Sequence, residues 1–595
     1  MYFKSFWVIV FLVCLTSCSS GSLTLDSQKD EQNISSATTE TAATSTIEKP
    51  NNPSTTLSEA PSLSITIEAT PYSPIAASLD IKSSLPVAVK VTATSESHQV
   101  TTARTSTFSS SHIFPLIGLR QSQAYEIKVL ALDESGAAAT FDGGTFISGE
   151  IDYPLPKFDL YVDLEQSQSG ITLIEYNPWV LPEEFGLAHA QPTVGIDHEG
   201  EVVFWYRNTG VNGAVQVTPR GTFIAQYWPL GAREFDLLGN VTNNWQVSPE
   251  PSTETVEFRE ADALHILENK EALAETTTGN PGDPEAIIVK ADWVDLTSFH
   301  HEVFPMPNGN LLAISTTNHP ITEEQMNSLC PEDETEFQIT SDVIVEFEVN
   351  GNVLRTWDLW DVLEVEEIPG SHICNTTGRF ESIDFRDWTH ANAVIYDEVR
   401  DAVIVSSRHT DQIIAFDHLD VMGPQTSVRW ILGKQGTLPL EGELFYHQHA
   451  VELQSDGSIL LYDNGNFRPG TGSGDSTMPH FSRAVLYRIS DDDVDSSEWE
   501  AAQLWDHRVD DSDGDPLYAE FLGDADRMEN GNVLITHGGI WPRPETQRAR
   551  IIEVVPAGAA GGDIVWDLAL GDADVPVTVY RAERLPSLYF GPNWE

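Results

Sequence analysis

Positive charge is what this sequence lacks most. Its 595 residues carry 32 Lys and Arg against 91 Asp and Glu, a formal net charge of −59. A chain this acidic has no general electrostatic footprint for nucleic acid. An anionic substrate must then be held by a local positive site against a repulsive field. The acidic residues are spread along the chain rather than gathered in a tail, as on the solvated surfaces of proteins from salty media. Cysteine is also scarce, at four. Cys330 and Cys374 are only two thiols, short of the four ligands of a structural metal centre. The apolar run SFWVIVFLVCL near the N-terminus is too short to span a bilayer comfortably. What is plentiful is core material: 40% hydrophobic and 9% aromatic residues, enough for one large domain and a small one.

The first residues read as a targeting segment. A short basic start precedes the apolar run, and LTSC then places Cys18 where a bacterial lipoprotein signal has its acylated cysteine. The expected mature chain begins at Cys18, and Ser19 in place of Asp favours the outer membrane. The membrane then enters only through the lipid, with the periplasmic side expected. Residues 19–60 are rich in Ser, Thr, Asn, Glu and Ala. They cannot bury enough apolar area to offset the entropy of ordering, and read as a tether. Cys14 leaves with the signal and Cys18 takes lipid. Cys330 and Cys374 remain as the expected disulfide pair in an oxidising compartment, with two buried free thiols as the alternative.

Residues 61–152 alternate apolar and polar in SLSITIEA, PVAVKVTA and YEIKVLALDESG, the period of half-buried strands. They are expected to form a small N-terminal β-sandwich, resembling a fibronectin type III-like module. From 153 to 595 short β-branched and aromatic runs end at turns such as DHEGEVVFWY, PNGNLLAIS, QSDGSILLYDN and MENGNVLITH. So many short antiparallel strands with recurring turns predict an all-β chain with a β-propeller, in which radial repetition hides the sheet edges. Irregular spacing means insertions. Two acidic stretches, 246–290 and 492–516, are read that way.

Three histidines sit at one repeated place. His301, His390 and His449 each lie seven residues before a turn residue: Asn308, Asp397 and Asp456. The same position in other repeats holds Pro192, Gly213 and Gly523. Equivalent strands arranged round an axis would let the three rings converge. Residues two apart on a strand share a face, which adds Asn392 to His390 and His447 to His449. Arg408, in SSRH, returns on a hairpin beside His390. Three His form a ligand set for catalytic zinc. The permanent charge of Arg408 opposes a dication there and favours an oxyanion with several oxygens, for which a sulfate ester fits. Neither a metal nor a cofactor is expected. His409 and His447 are supporting candidates, and His198, His319, His418 and His537 read as ordinary polar residues. Trp293 and Trp388 are expected to pack within the sheets.

The segments FHHEVFPMPNGNLLAI, DWTHANAVIYDEVRDAVIVSSRHTDQIIAFD, VRWILGKQG and HQHAVELQSDGSILLYDNGNFR resemble the bacterial aryl sulfotransferases that do not use phosphoadenosine phosphosulfate. The resemblance runs from about residue 155 to the end, and LIGLRQSQAYEIKVLA resembles the small N-terminal domain of that family. It implies a six-bladed β-propeller and ping-pong transfer of a sulfuryl group from a phenolic sulfate ester to a phenol. It also implies roles. His449 becomes the nucleophile and carries the group as an N-sulfohistidine. His301 and Arg408 bind the equatorial oxygens with Asn392 in support, and His390 serves as acid and base. Between His300 and His301 the seven-residue register picks His301, and strand alternation points His300 the other way. No carboxylate is essential to this set. Two other readings use the same chain: an arylsulfate hydrolase with water as acceptor, and a non-catalytic lipid-anchored propeller that binds a ligand. Association as a homodimer stays open.

Overall fold

The computed structural model describes residues 61–595 apart from 154, 156–157, 179–191, 208–212, 228–230, 249–274, 279–286, 332–336, 366–377, 381–382, 419–427, 473–477, 493–494, 512–513, 541–547 and 572–576. Strands dominate it. Glu323–Leu329 is a short surface helix, closed at its N-terminus by a capping box between Thr322 and Gln325. Among the described residues no helix is long and apolar enough to cross a membrane.

The N-terminal part is a six-stranded sheet. Its long strand Ala77–Thr94 pairs with Leu63–Ala69 and Ser109–Leu116 along its first half, and with Gln99–Thr101 and Ala124–Leu132 along its second. The alternation in AYEIKVLAL is realised. Tyr125, Ile127, Val129 and Ala131 are buried, whereas Ala124, Glu126 and Lys128 face out.

Among the described residues, six further sheets of four to six strands each follow. Sheet 1 joins Val202–Arg207, Pro192–Ile196 and Ile171–Pro178 to the C-terminal strand Val577–Leu585. Sheet 2 runs from Val215–Val217 to Val241–Val247 and takes Asp292–Val294 as a parallel edge. Sheet 3 is built on His300–Pro305, Leu311–Pro320 and Phe337–Phe347. Sheet 4 spans Ala391–Asp397 to Val428–Gly433, and sheet 5 His449–Leu453 to Glu500–His507. Sheet 6 spans Ala519–Phe521 to Gly562–Leu570 and takes Phe158–Val162 from the other end of the chain.

Inner strands of these sheets send alternate side chains into two different cores. In sheet 5, Ile459 and Leu461 join a cluster with Ile404 and Ile413 of sheet 4. Leu460 and Tyr462 join one with Val533 and Ile535 of sheet 6. In sheet 3, Leu312 and Ile314 meet Val394 and Val405 of sheet 4, and Leu311 and Ala313 meet Ile224 and Ala232 of sheet 2. Sheet 6 meets sheet 1 through Ile551, Trp566, Val194 and Val577. Sheets 1 and 2 share a cluster with the N-terminal sheet through Leu173, Phe223, Leu79 and Val89.

The turn residues that set the repeat work as the sequence implies. Asn308 Oδ1 accepts from Asn310 N at 2.9 Å, Asp397 Oδ1 from Val399 N at 2.9 Å, and Asp456 Oδ1 from Ser458 N at 3.0 Å. Such Asx turns let one side chain replace a backbone acceptor at a tight corner. One expectation needs correction. The stretch 492–516 is not wholly an insertion, because Glu500–His507 is a regular strand paired with Arg483–Ser490. Its acidic flanks hid the apolar residues Ala501, Ala502 and Trp505, which are buried. Of 246–290, the described pieces include a two-stranded hairpin, Glu275–Thr278 with Ile287–Lys290.

Candidate active site

The three histidines in register come from the opening strands of sheets 3, 4 and 5, and each opening strand starts irregularly. The ladder slips between His300 and Val303, between Ala391 and Ala393, and between His449 and Val451. His301 has φ 67°, His390 φ 50° and Ala450 φ 46°. Left-handed backbone at a non-glycine residue costs of order 1–3 kcal/mol and persists only where the surroundings enforce it. Bulges of this kind re-aim side chains next to sites.

The irregularity overturns the alternation argument for His300. Its ring lies against that of His301, with centroids 4.5 Å apart and Nδ1 facing Nδ1. His300 Nε2 then meets Asp342 Oδ1 at 3.1 Å. His301 in turn meets His390, ring to ring at 5.0 Å and nearly perpendicular. The His301 carbonyl is held by Tyr580 Oη at 3.1 Å. Burial pushes His301 well below the usual imidazole range, reinforced by His300, His390, His449 and Arg408.

His449 is fully buried. Its Nδ1 lies against Oδ1 of Asn464. The Asn464 amide has only one orientation available, because its Nδ2 donates to the Ala519 carbonyl at 2.7 Å and the Leu522 carbonyl at 2.8 Å. Its oxygen accepts, so His449 carries its proton on Nδ1 and presents a lone pair at Nε2. That Nε2 has no hydrogen-bond partner among the described residues. Burial pushes His449 well below the usual imidazole range. The charge of Arg408 adds to this, Asn464 opposes it, and His390 and Arg581 lower it further.

His390 is held from its other edge. Nδ1 contacts a carboxylate oxygen of Asp387, which leaves Nε2 turned away and without a hydrogen-bond partner among the described residues. A carboxylate therefore borders the set. Asp387 sits three residues before His390, inside the DWTH segment, but among 91 acidic residues nothing in the sequence marked it. The hairpin places Arg408 as expected: its N–H donates to the His390 carbonyl at 3.2 Å, and Nη2 reaches the Glu520 carbonyl at 3.0 Å.

Asn392 is buried in the bulge, and its Nδ2 donates to the Gln448 carbonyl at 2.8 Å, directly before His449. Gln448 Nε2 is itself tied to Ser406 Oγ and to the carbonyls of Ser407 and Gln412. His409 stacks on His390 at 4.3 Å. His447 does not join His449. At φ 52° it turns to Asp411, which accepts from its backbone N at 2.7 Å and contacts Nδ1 at 2.9 Å.

The four histidines read as ordinary polar residues each have a neighbour. His198 meets Ser167, His418 meets Glu346 and Asp401, and His537 meets Tyr462, while His319 stacks on Trp360. Trp388 packs in a core as expected, whereas Trp293 is 40% exposed. Cys330 is buried at the end of the short helix. Cys18 and Cys374 lie outside the described residues. Asp387, His390 and His409 bring one ligand atom each to within 4.8 Å of one another.

A family model described as Arylsulfotransferase (ASST) matches residues 164–570. The arylsulfate sulfotransferase AssT of Escherichia coli O6:H1 is 22% identical over 413 residues, covering 58% of this chain and 57% of that protein. The arylsulfate sulfotransferase AssT of Lelliottia amnigena is 22% identical over 370 residues, covering 50% of each. The chain spans about half the length of the curated relatives it matches. A crystal structure of a protein of unknown function from Bacteroides caccae aligns over 70% of this chain and 98% of its own, at 11% identity and a TM-score of 0.33.

Proposed function

This chain belongs to the arylsulfotransferase family, and on that premise we propose that it moves a sulfuryl group from an aryl sulfate ester to a phenol through a sulfohistidine at His449. One observation carries the reading: a buried imidazole whose tautomer is fixed by Asn464 presents a bare Nε2, and its ring lies within electrostatic reach of Arg408, His301 and His390.

In the first step His449 Nε2 attacks sulfur, and the bond from sulfur to the aryl oxygen breaks. The leaving aryl oxide takes a proton from His390 Nε2, while Asp387 holds the ring from Nδ1. In the second step the incoming phenol returns its proton to His390 and its oxygen attacks sulfur. The S–N bond breaks and His449 regains its lone pair. Arg408 and His301 bind the equatorial oxygens. A loose, in-line transfer of this kind needs position and charge more than covalent help. Arg408 also supplies the local positive charge that an anionic ester requires in so acidic a chain. Asn392 acts through the Gln448 carbonyl that precedes the nucleophile, and His300 steadies His301.

The same reading takes the six sheets as the blades of a propeller over 153–595, preceded by a sandwich over 61–152. Support comes from the clusters that join each sheet to the next and sheet 6 to sheet 1, and from chain ends that complete sheets 1 and 6. The Cys330–Cys374 disulfide, the tether over 19–60, acylation at Cys18 and an outer-membrane, periplasmic location complete it.

The test is to incubate the protein with p-nitrophenyl sulfate and no acceptor, then measure intact mass and map the adduct. The expected result is one sulfuryl group on His449. Adding phenol should discharge it to a sulfated product, and His449→Ala should form no adduct and transfer nothing while keeping its fold. Wild-type turnover in that variant would end the proposal, and an adduct discharged only to water would make the protein a hydrolase.

A further inference from the structure

We propose that Asp387, His390 and His409 form a site for a divalent transition cation of the zinc class, whose occupancy withdraws His390 from proton transfer. The binding stands on the geometry alone. The consequence for turnover rests on the reading of His390 as acid and base.

The three side chains are brought together by one hairpin and the strand before it. Arg408 N donates to the His390 carbonyl at 3.2 Å and His409 N to the Thr389 carbonyl at 3.1 Å, so the two histidines leave the end of the hairpin side by side. Their rings stack with centroids 4.3 Å apart and planes 23° apart. Both Nδ1 edges face Asp387. His390 Nδ1 contacts the carboxylate, and His409 Nδ1 lies 3.9 Å from the same oxygen and 3.0 Å from the Asp387 carbonyl. One ligand atom from each residue falls within a 4.8 Å group.

Two imidazoles and one carboxylate match the ligand preferences of zinc, with bonds of about 2.0–2.2 Å and a fourth position left for water. A tetrahedral set at those lengths places ligand atoms roughly 3.3 Å apart, so the cluster closes on a cation with shifts of about an ångström. The Asp387 side chain is 27% exposed, which gives an ion a way in. The site lies on the Nδ1 edge of His390, whereas the edge assigned to the sulfuryl group is Nε2. Arg408 therefore need not share a pocket with the dication. Its guanidinium donates to the Glu520 carbonyl. On binding, the cation takes the Nδ1 lone pairs of both rings and displaces the protons they carry. A metal on Nδ1 replaces the carboxylate contact that now holds His390, and the ring can no longer cycle between proton donor and acceptor.

The test titrates chelator-stripped full-length protein with Zn²⁺ against a chromophoric chelator. One zinc per chain is expected, with affinity weakened about tenfold or more in His409→Ala and in Asp387→Asn. Zinc should also suppress aryl sulfate turnover by the wild type, reversibly with chelator, and leave the rate of His409→Ala at its own zinc-free value. No stoichiometric binding, or wild-type affinity in both variants, overturns the site. A chain without transferase activity in zinc-free buffer would instead overturn the reading of the reaction and leave the binding measurement standing.

Discussion

Asn464 decides which nitrogen of His449 carries the proton and which is left with its lone pair. Its own orientation is set by two backbone carbonyls, at Ala519 and Leu522, on the neighbouring sheet and its loop. Replacing it with Leu removes the acceptor at Nδ1 and lets the proton occupy either nitrogen. We expect Asn464→Leu to lower kcat by about 10²-fold or more, in the direction of wrong-tautomer variants of other imidazole catalysts, which lose up to about 10⁴-fold, with the fold retained. An unchanged kcat would show that the tautomer is fixed some other way. Burial and Arg408 push His449 in the same useful direction, keeping it uncharged near neutral pH. The histidines and Arg408 were legible because a turn register is a local property. Asn464 and Asp387 lie in the same quoted motifs, but an amide and a carboxylate gain meaning only from what faces them across the fold.

At the scale of strands and turns, the site depends on departures from regularity. Asp411, which holds His447, has φ 55°. Its carbonyl accepts from Lys434 N at 3.0 Å. Gly433, at φ 131°, makes this approach feasible, since a Cβ there would sit 2.2 Å from the Asp411 oxygen. Gly433→Ala is therefore expected to destabilise the protein by about 1–3 kcal/mol, read from a shift in denaturant midpoint, and to shift Asp411 away from His447. A midpoint equal to that of the wild type would show that the turn relaxes freely. Burial pushes the Asp411 carboxyl up to about 7. Alternation, the rule that located the strands, slips at the three bulges, where His300 and Asn392 sit; His447 precedes the strand His449–Leu453, so alternation does not govern it.

For the molecule as a whole, acidity is not only a surface matter. A small cavity is lined by Leu173, Glu175, Val215, Asp524, Arg581 and Glu583. Burial pushes Glu583 up to about 7, with Asp524 adding to the shift and Arg581 opposing it. Its folded value lies above the unfolded one, so the folded state holds the extra proton between about 4.5 and about 7. Stability from this group is full below that window and is lost as pH rises through it. Glu583→Gln should thus gain little at about pH 5 and up to roughly 3 kcal/mol at about pH 8, measured by denaturation at both. Equal gains at the two pH values would contradict the assignment. The cavity joins strands from sheets 1, 2 and 6, two of them at opposite ends of the chain.

The sequence by itself determined the strand class and the turns and singled out His301, His390, Arg408 and His449, because periodicity, turn chemistry and motif spacing act over a few residues. It also carried enough of the family pattern to name the family. Only the tertiary structure decided which way those rings face, that Asn464 and Asp387 hold them, and that the last strand completes the first large sheet. Each of those outcomes is a contact between residues far apart in the chain, where the energy of a partner rather than a local rule selects the geometry.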